Sequence, residues 1–441
     1  LIKFTIKKAR TEASAVLAFA EIEVTPPLTK VAAAEQEIEL FGVQTWRDDV
    51  ERVGGEGSKP KVTVLNMVTI LQGQFGDKLV RLNAFTGEEI YGMSTPWGGK
   101  KGQEIKNSDL IDIKLWFADN WRFEPDTNKV YESLLHIAKK ESFHPVRDYL
   151  ESLDWDGIER IDTWLEDFIE AKGPQPYLQQ ISRKVLVAMV TRIMQPGVKF
   201  DHILIMEGTQ GVGKSTILKD LAGNAWFKDS DVNIHDKDAV VGMKGTWLWE
   251  IGELAGMRKT DVNALKQFVS RCDDKIRLPY GRKAETFPRE LIFIGTTNND
   301  EYLSDDTGNR RFWPVCVGKY DFKSVPMVRD QLFAEAMFHW GLGEPLHLEG
   351  AAVRLADEQA SDRLFKDSMD EEVENILNDP LNQLNGKLLL NQIIGLTTAK
   401  PDKSGQMRVA RSLKELGYIC KQCRVGGGRK QKFYIKEENT Q

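Results

Sequence analysis

Nine residues, GTQGVGKST at 208–216, constrain this chain more than any others. Gly208, Gly211 and Gly213 open backbone dihedrals closed to other residues and turn successive N–H groups into one concavity. A polyphosphate fits there, at the N-terminal end of the next helix. Lys214 is then placed to reach the β and γ phosphates and Ser215 to ligate Mg²⁺, with Thr209, Gln210, Val212 and Thr216 completing the loop. The flanks supply the context that such a loop needs. HILIMEG, from His202, reads as a short buried strand, and STILKDLAG carries Ile217, Leu218 and Leu221 at helical spacing. Strand, glycine loop and helix in that order predict a P-loop and therefore an α/β layer.

Further apolar strands are expected at TWLWEIGEL, ELIFIGTTNND and RFWPVCV, separated by helical or loop segments. Strands alternating with helices are the pattern of a largely parallel sheet covered on both faces. The chain divides on this reading into an N-terminal segment and linker (1–58), a mainly helical domain (59–172), a P-loop domain (173–350) and a small basic C-terminal domain (351–441). In the second, LNAFTGEEI predicts a hairpin, and the block 142–165 has apolar residues at helical spacing interrupted at Asp156 and Gly157. Its His144, Trp155 and Trp164 are expected in core or interface roles. VRDQLFAEAMFHWG, 328–341, reads as one amphipathic helix packed back on the sheet.

Composition limits the setting. At 441 residues the chain has room for about three domains. A hydrophobic share of 41% and a charged share of 29% exclude disorder throughout. A net charge of −6 means that any nucleic-acid surface must be local. Four cysteines do not make a disulfide framework, and the Cys420, Cys423 pair lacks a second pair at zinc-ribbon spacing. A reducing cytoplasm, with no membrane partner, is the expected location, because no apolar run reaches spanning length and no signal-peptide layout is present. A start at Leu1 is expected of a piece of a longer polypeptide.

Residues beyond the loop narrow the kind of phosphate chemistry. The apolar strand in TWLWEIGEL delivers Glu250 near the carboxyl end of the sheet, with Glu253 one turn on, where an acid associates with Mg²⁺ or polarises an attacking water. Asn298 follows another strand and is poised to orient water or sense the γ-phosphate. Arg310 and Arg311, in TGNRRFWP, fit an arginine finger supplied by a neighbouring subunit, and hence a ring. DKIRLPYGRKAETFPRE places Lys275, Arg277, Arg282 and Lys283 on a charged hairpin suited to phosphate backbones. The C-terminal stretch GQMRVARSLKELGYICKQCRVGGGRKQKFYIK reads as a helix from Met407 to Leu416, a strand, a glycine turn and a strand, the order of a winged helix. Its Arg408, Arg411, Lys414, Lys421, Arg424, Arg429, Lys430 and Lys432 make the one strongly basic patch, read as a DNA-backbone contact.

These stretches together resemble the virulence-associated protein E family of phage and mobile-element proteins, whose ATPase core is similar to superfamily-3 helicases of the AAA+ class. The resemblance is carried by FHPVRDYLESLDWDGIERIDTWL, KFDHILIMEGTQGVGKST, WLWEIGELAGM, KIRLPYGR and TTNNDEYLSDDTGNRRFWPV, spanning about 142–317. It implies a three-layer P-loop AAA+ core, and an ATP- and Mg²⁺-dependent DNA helicase, hexameric, acting in replication of a phage, prophage or pathogenicity island within a bacterial cell. On that likeness Lys214 and Ser215 match the Walker A positions, Glu250 and Glu253 the Walker B acids, Asn298 sensor 1, and Arg310 or Arg311 the finger. Lys275 to Lys283 fall at the pore hairpin. The acids of that superfamily are adjacent, whereas Ile251 and Gly252 intervene here, so either glutamate fits the water-activating role. Several relatives carry an N-terminal primase-polymerase module; no paired-aspartate motif is seen here, and a primase is expected upstream of Leu1 or in trans. The rival reading is a nucleotide-binding regulatory protein without unwinding activity, separated from the first by ATPase assays with and without single-stranded DNA.

Overall fold

The computed structural model describes residues 46–436 apart from 56, 231–239, 253–258, 277–282, 300–301, 304–308, 364–367, 380–387 and 425–429. Contacts divide the chain into two units. One holds the residues up to Arg81 together with Glu89–Glu141; the other holds Leu82–Glu88 and Ser142–Gln441.

The first unit is built on the helices Val64–Phe75, Asn107–Trp121 and Thr127–Lys140. Thr63 caps the first by accepting from the Asn66 amide, and Asp126 caps the third by accepting from Asn128, each satisfying a donor that the first helical turn leaves unpaired. Met67, Ile70, Leu71, Ile113, Phe117, Val130, Leu134 and Ile137 are buried at helical spacing. The expected hairpin forms from β1 (Val80–Asn83) and β2 (Glu88–Tyr91), with Gly87 at φ 80° in its turn; its tip, Leu82–Glu88, is counted with the second unit.

The second unit contains a five-stranded sheet of β3 (Ile203–Glu207), β4 (Phe227–Lys228), β5 (Leu248–Ile251), β8 (Ile292–Thr297) and β9 (Phe312–Cys316), in the order β4-β5-β8-β3-β9 and parallel throughout. Every residue of β3, β5 and β8 is buried, as continuous apolar runs in a doubly covered sheet require. Alternate residues feed two cores: Leu204, Met206, Leu248, Ile292 and Ile294 one, Ile203, Ile205, Trp249, Ile251 and Phe293 the other. The helix Gln175–Met194 fills the first core, its carbonyls at Ser182 and Met189 accepting from the indole N–H groups of Trp164 and Trp247.

Two boundaries read from the sequence shift. Val146, Leu150, Ile161, Trp164, Leu165 and Ile169 belong to the first core of the sheet, so 142–172 goes with the second unit and not with the helical domain before it. Helical spacing shows that a face is buried but not against which core. Likewise the helix Ala351–Ser361, expected in the C-terminal domain, places Ala352 and Ala356 in the first core and Ala360 in the second. Trp164 and His144 take the interior roles expected of them: His144 accepts from the Arg147 amide at a helix N-cap and meets Glu290 at 3.1 Å. The helix expected over 328–341 runs Ser324–Gly341, with Pro326 tolerated in its first turn.

β6 (Asp273–Ile276) and β7 (Glu285–Pro288) pair as an antiparallel ribbon leading into the amino end of β8. Arg289 pins its base with a buried fork onto Asp274 at 2.6 and 2.9 Å. At the C-terminus come the helix Ser368–Asn378, β10 (Leu388–Leu389), the helices Leu390–Leu396 and Lys403–Glu415, then β11 (Tyr418–Arg424) and β12 (Lys430–Lys436). The strands form an antiparallel sheet ordered β10-β12-β11 over a separate core of Met369, Val373, Ile393, Ile394, Val409, Leu413 and Tyr434. The last of these helices starts four residues before the expected Met407, because Asp402 caps it by accepting from Gly405.

Candidate functional site

β3 ends at Glu207, and the glycine loop connects it to the helix Lys214–Ala222. Gly211 and Gly213 adopt φ 85° and 101°, the left-handed region where a side chain is disfavoured. Space forbids a side chain as well: a Cβ on Gly213 would lie 2.6 Å from Cβ of Tyr320, and one on Gly208 would lie 2.8 Å from the Val317 carbonyl. The Tyr320 amide donates to the Val212 carbonyl and its hydroxyl to Asp220, so the exit of β9 braces the loop.

Lys214, 8% exposed, donates to the carbonyls of Gly208 (2.6 Å) and Thr209 (3.1 Å) and to Oδ1 of Asn298 (2.8 Å). Burial lowers its pKa from the ordinary lysine value, and Glu250 opposes that shift. Asn298 stands just beyond β8, the strand between β3 and β5. Glu250, 4% exposed in β5, accepts from Ser215 Oγ at 2.8 Å and from Thr296 Oγ1 at 2.7 Å, both on Oε1. Its Oε2 is buried with no hydrogen-bond partner. A buried carboxylate oxygen left unpaired is costly and marks a place where a further donor or cation belongs. The hydroxyl of Ser215 and the free oxygen of Glu250 are hard oxygen donors side by side, which fits Mg²⁺; that ion uses one or two protein ligands and takes the rest from water and phosphate. A cavity of about 450 Å³ opens over these groups, lined among others by Gln210, Thr216, Asp229, Thr297 and Phe322.

The structure therefore brings together, at the carboxyl ends of β3, β8 and β5, the loop 208–216, Glu250 and Asn298. Ligands of open parallel sheets bind at that end. Glu253, the other acid read from the sequence, lies outside the described residues.

Arg310 and Arg311 are elsewhere. They occupy a 3₁₀ turn, Asn309–Arg311, at the amino end of β9. Phe312 pairs with Ile203 and Cys316 with Glu207, so the two arginines stand below the loop by more than the four strand steps from Ile203 to Glu207, which alone span about 13 Å. Arg311 is 3.3 Å from Asp201, whereas Arg310 is exposed. Neither is positioned to reach the cavity of its own chain.

The basic residues form two further groups. Lys275 is exposed on β6 opposite Thr286, and Lys283 is exposed just before β7; Arg277 and Arg282 lie outside the described residues. Arg408 is exposed and Arg411 half-buried on the helix Lys403–Glu415. Arg424 lies on β11, and Lys430 and Lys432 on β12, while Arg429 is outside the described residues.

Sequence reasoning missed Thr296, Tyr320, Glu207 and Arg363. Thr296 was legible as the first polar residue after the apolar part of β8. Glu207 accepts a fork from Arg363, and nothing in the sequence links two residues so far apart.

A parallel α/β sheet with a glycine loop at its carboxyl end is the class that fold and site define. Residues 150–365 match the model of the virulence-associated protein E-like domain. No curated protein matches the chain. Among solved structures the chain is similar to the A form apo structure of the NrS-1 C-terminal region (305–718), at 11% identity and a TM-score of 0.44, with 86% of this chain and 100% of that one covered. A second apo structure of that region aligns at 11% identity and a TM-score of 0.38, covering 81% and 96%.

Proposed function

We propose that this chain is an ATP-driven DNA motor, a replicative helicase of a phage, prophage or pathogenicity island, hydrolysing ATP between the subunits of a hexameric ring. The observation that carries this reading is the convergence of Lys214, Ser215, Glu250 and Asn298 around one cavity at the carboxyl ends of three neighbouring strands.

The chemistry follows from the chain's own groups. Loop amides and the start of the helix at Lys214 offer positive potential to a triphosphate. Lys214, held by two loop carbonyls and Asn298, exchanges these for the β and γ phosphates. Asn298, relieved of the lysine, is free to orient a water. Ser215 and Glu250 would hold Mg²⁺, which would neutralise charge developing between the β and γ phosphates. One of the two acids, Glu250 or Glu253, would polarise the attacking water. Because Arg310 stands at the amino end of the sheet, opposite its own cavity, the cation for the transition state would come from an adjoining copy.

DNA contact is assigned to two surfaces. Lys275 and Lys283 would track the phosphate backbone from the β6–β7 ribbon. Among its described residues the C-terminal unit has three helices, with β10 preceding the second and β11 and β12 following the third; we read it as a winged helix that contacts DNA through Arg408 and Arg411 on its last helix, Arg424, Lys430 and Lys432 on its strands, and Arg429 between them in sequence. A primase upstream of Leu1 or in trans would supply the associated priming.

ATP turnover measured with and without single-stranded DNA, beside strand displacement on a forked duplex, tests the proposal. Turnover raised by DNA and lost in a folded Lys214→Ala variant is the expected result. Calorimetry showing no uptake of Mg·ATP would overturn it.

A further inference from the structure

Glu207 is the last residue of β3 and immediately precedes the glycine loop. It is 3% exposed, and its carboxylate is saturated by a cluster drawn from three distant parts of the chain. Arg363 donates Nε to Oε1 and Nη2 to Oε2, both at 2.9 Å. The Tyr302 hydroxyl donates to Oε1 at 2.6 Å, and the Cys316 thiol to Oε2 at 3.1 Å. A second tie runs through the backbone: the Arg363 carbonyl accepts from the amides of Tyr302 (3.2 Å) and Leu303 (3.0 Å).

Along the chain these bonds stand near two partners of Lys214. One partner is the Gly208 carbonyl, adjacent to Glu207; another is Asn298, on the segment that leads to Tyr302. The arginine that grips both stands at the end of the helix Ala351–Ser361, where the chain leaves the sheet for the C-terminal unit, whose core begins at Met369. A planar guanidinium on a carboxylate transmits position better than a point charge, since two parallel bonds fix both distance and angle. Two sites couple through an element whose arrangement both of them bias.

We propose that Arg363 is a positioning residue that couples the basic C-terminal unit to the nucleotide site. DNA held by the C-terminal unit shifts the fork of Arg363 on Glu207, and with it the neighbouring Gly208 carbonyl that holds Lys214. This inference rests on the functional reading above, which makes the C-terminal unit a DNA contact.

The test uses the full chain with oligothymidylate as the DNA probe and compares wild type, Arg363→Ala, Arg363→Lys and Glu207→Gln. Three quantities are read: the ratio of ATP turnover with and without DNA, DNA affinity by fluorescence anisotropy, and the melting temperature. Expected is a loss of about five-fold or more in that ratio for Arg363→Ala and Glu207→Gln with DNA affinity unchanged, and only partial recovery in Arg363→Lys, which restores the charge without the fork. Glu207→Gln conserves volume, so it serves should Arg363→Ala fail to fold. An unchanged ratio in any folded fork variant overturns the coupling while leaving the motor reading intact. Wild-type turnover indifferent to DNA overturns the coupling and the motor reading while leaving the ATPase. An absence of wild-type turnover overturns all three.

Discussion

The two ends of the parallel sheet differ in kind. At the carboxyl end Lys214, Glu250 and Thr296 are buried and Ser215 and Asn298 are exposed beside them; Lys214 is bonded to Asn298, Glu250 to Ser215 and Thr296, and Glu250 Oε2 is short of one donor. At the amino end Arg310 is exposed and Arg311 leans on Asp201, and the described residues there form no phosphate cradle. On the proposed function the first end would bind a polyphosphate, and among the described residues its lining holds one cation, Lys214, while the other end carries the exposed Arg310. The register of β3 against β9 prevents one chain from joining the two ends. On the function proposed above, a ring of copies, in which the amino end of one meets the carboxyl end of the next, would resolve this.

The difference sets the order of expected effects. Arg310→Ala should lower turnover by on the order of 10³-fold with Mg·ATP affinity unchanged, as measured by steady-state kinetics beside calorimetry. Arg311→Ala should cost little turnover, because its partner is Asp201. Lys214→Ala should lower turnover by on the order of 10²- to 10³-fold and weaken ATP binding as well, with a melting curve close to that of wild type. Affinity surviving in Lys214→Ala would break the assignment of the carboxyl end. Glu250→Gln should keep nucleotide binding and lose on the order of 10²-fold in turnover, read in single-turnover experiments.

Proton linkage is expected at the carboxyl end. Burial lowers the free Lys214 below the ordinary lysine value of 10.5, and bound phosphate holds the ammonium charged. The sign follows: ATP affinity is full below the depressed pKa and falls as pH rises through it, by at most about tenfold per pH unit. Titration calorimetry across alkaline pH checks this, and an affinity that is flat until an ordinary lysine titrates would contradict it. The smallest effect belongs to the ribbon: Lys275→Ala or Lys283→Ala should weaken DNA binding evenly across sequences and reduce the salt slope by about one unit each.

Much of the carboxyl end was legible in the sequence because its chemistry is local. Glycines, a lysine and a serine follow one another, and the strands that carry Glu250 and Asn298 announce themselves as apolar runs. What the sequence withheld was long-range. The fork of Arg363 on Glu207 joins residues 156 positions apart, and the packing of the helix Ala351–Ser361 on the sheet depends on alanines whose spacing fits any core. The start of the helix at Lys403 was readable from Asp402 as an N-cap but was masked by the stronger apolar signal further on. The arginine pair was legible as chemistry and not as place: only the pairing of Ile203 with Phe312 puts it at the far end of the sheet.

A mixing experiment bears most directly on the division of labour between the two ends. Lys214→Ala subunits keep their arginine, and Arg310→Ala subunits keep their cradle; both are expected to be nearly inactive alone. Combined in equal amounts and allowed to exchange, one interface in about four pairs an intact cradle with an intact arginine, so turnover should recover to roughly a quarter of wild type. A mixture no more active than its two components would contradict the account, since it would mean that no copy completes the site of its neighbour.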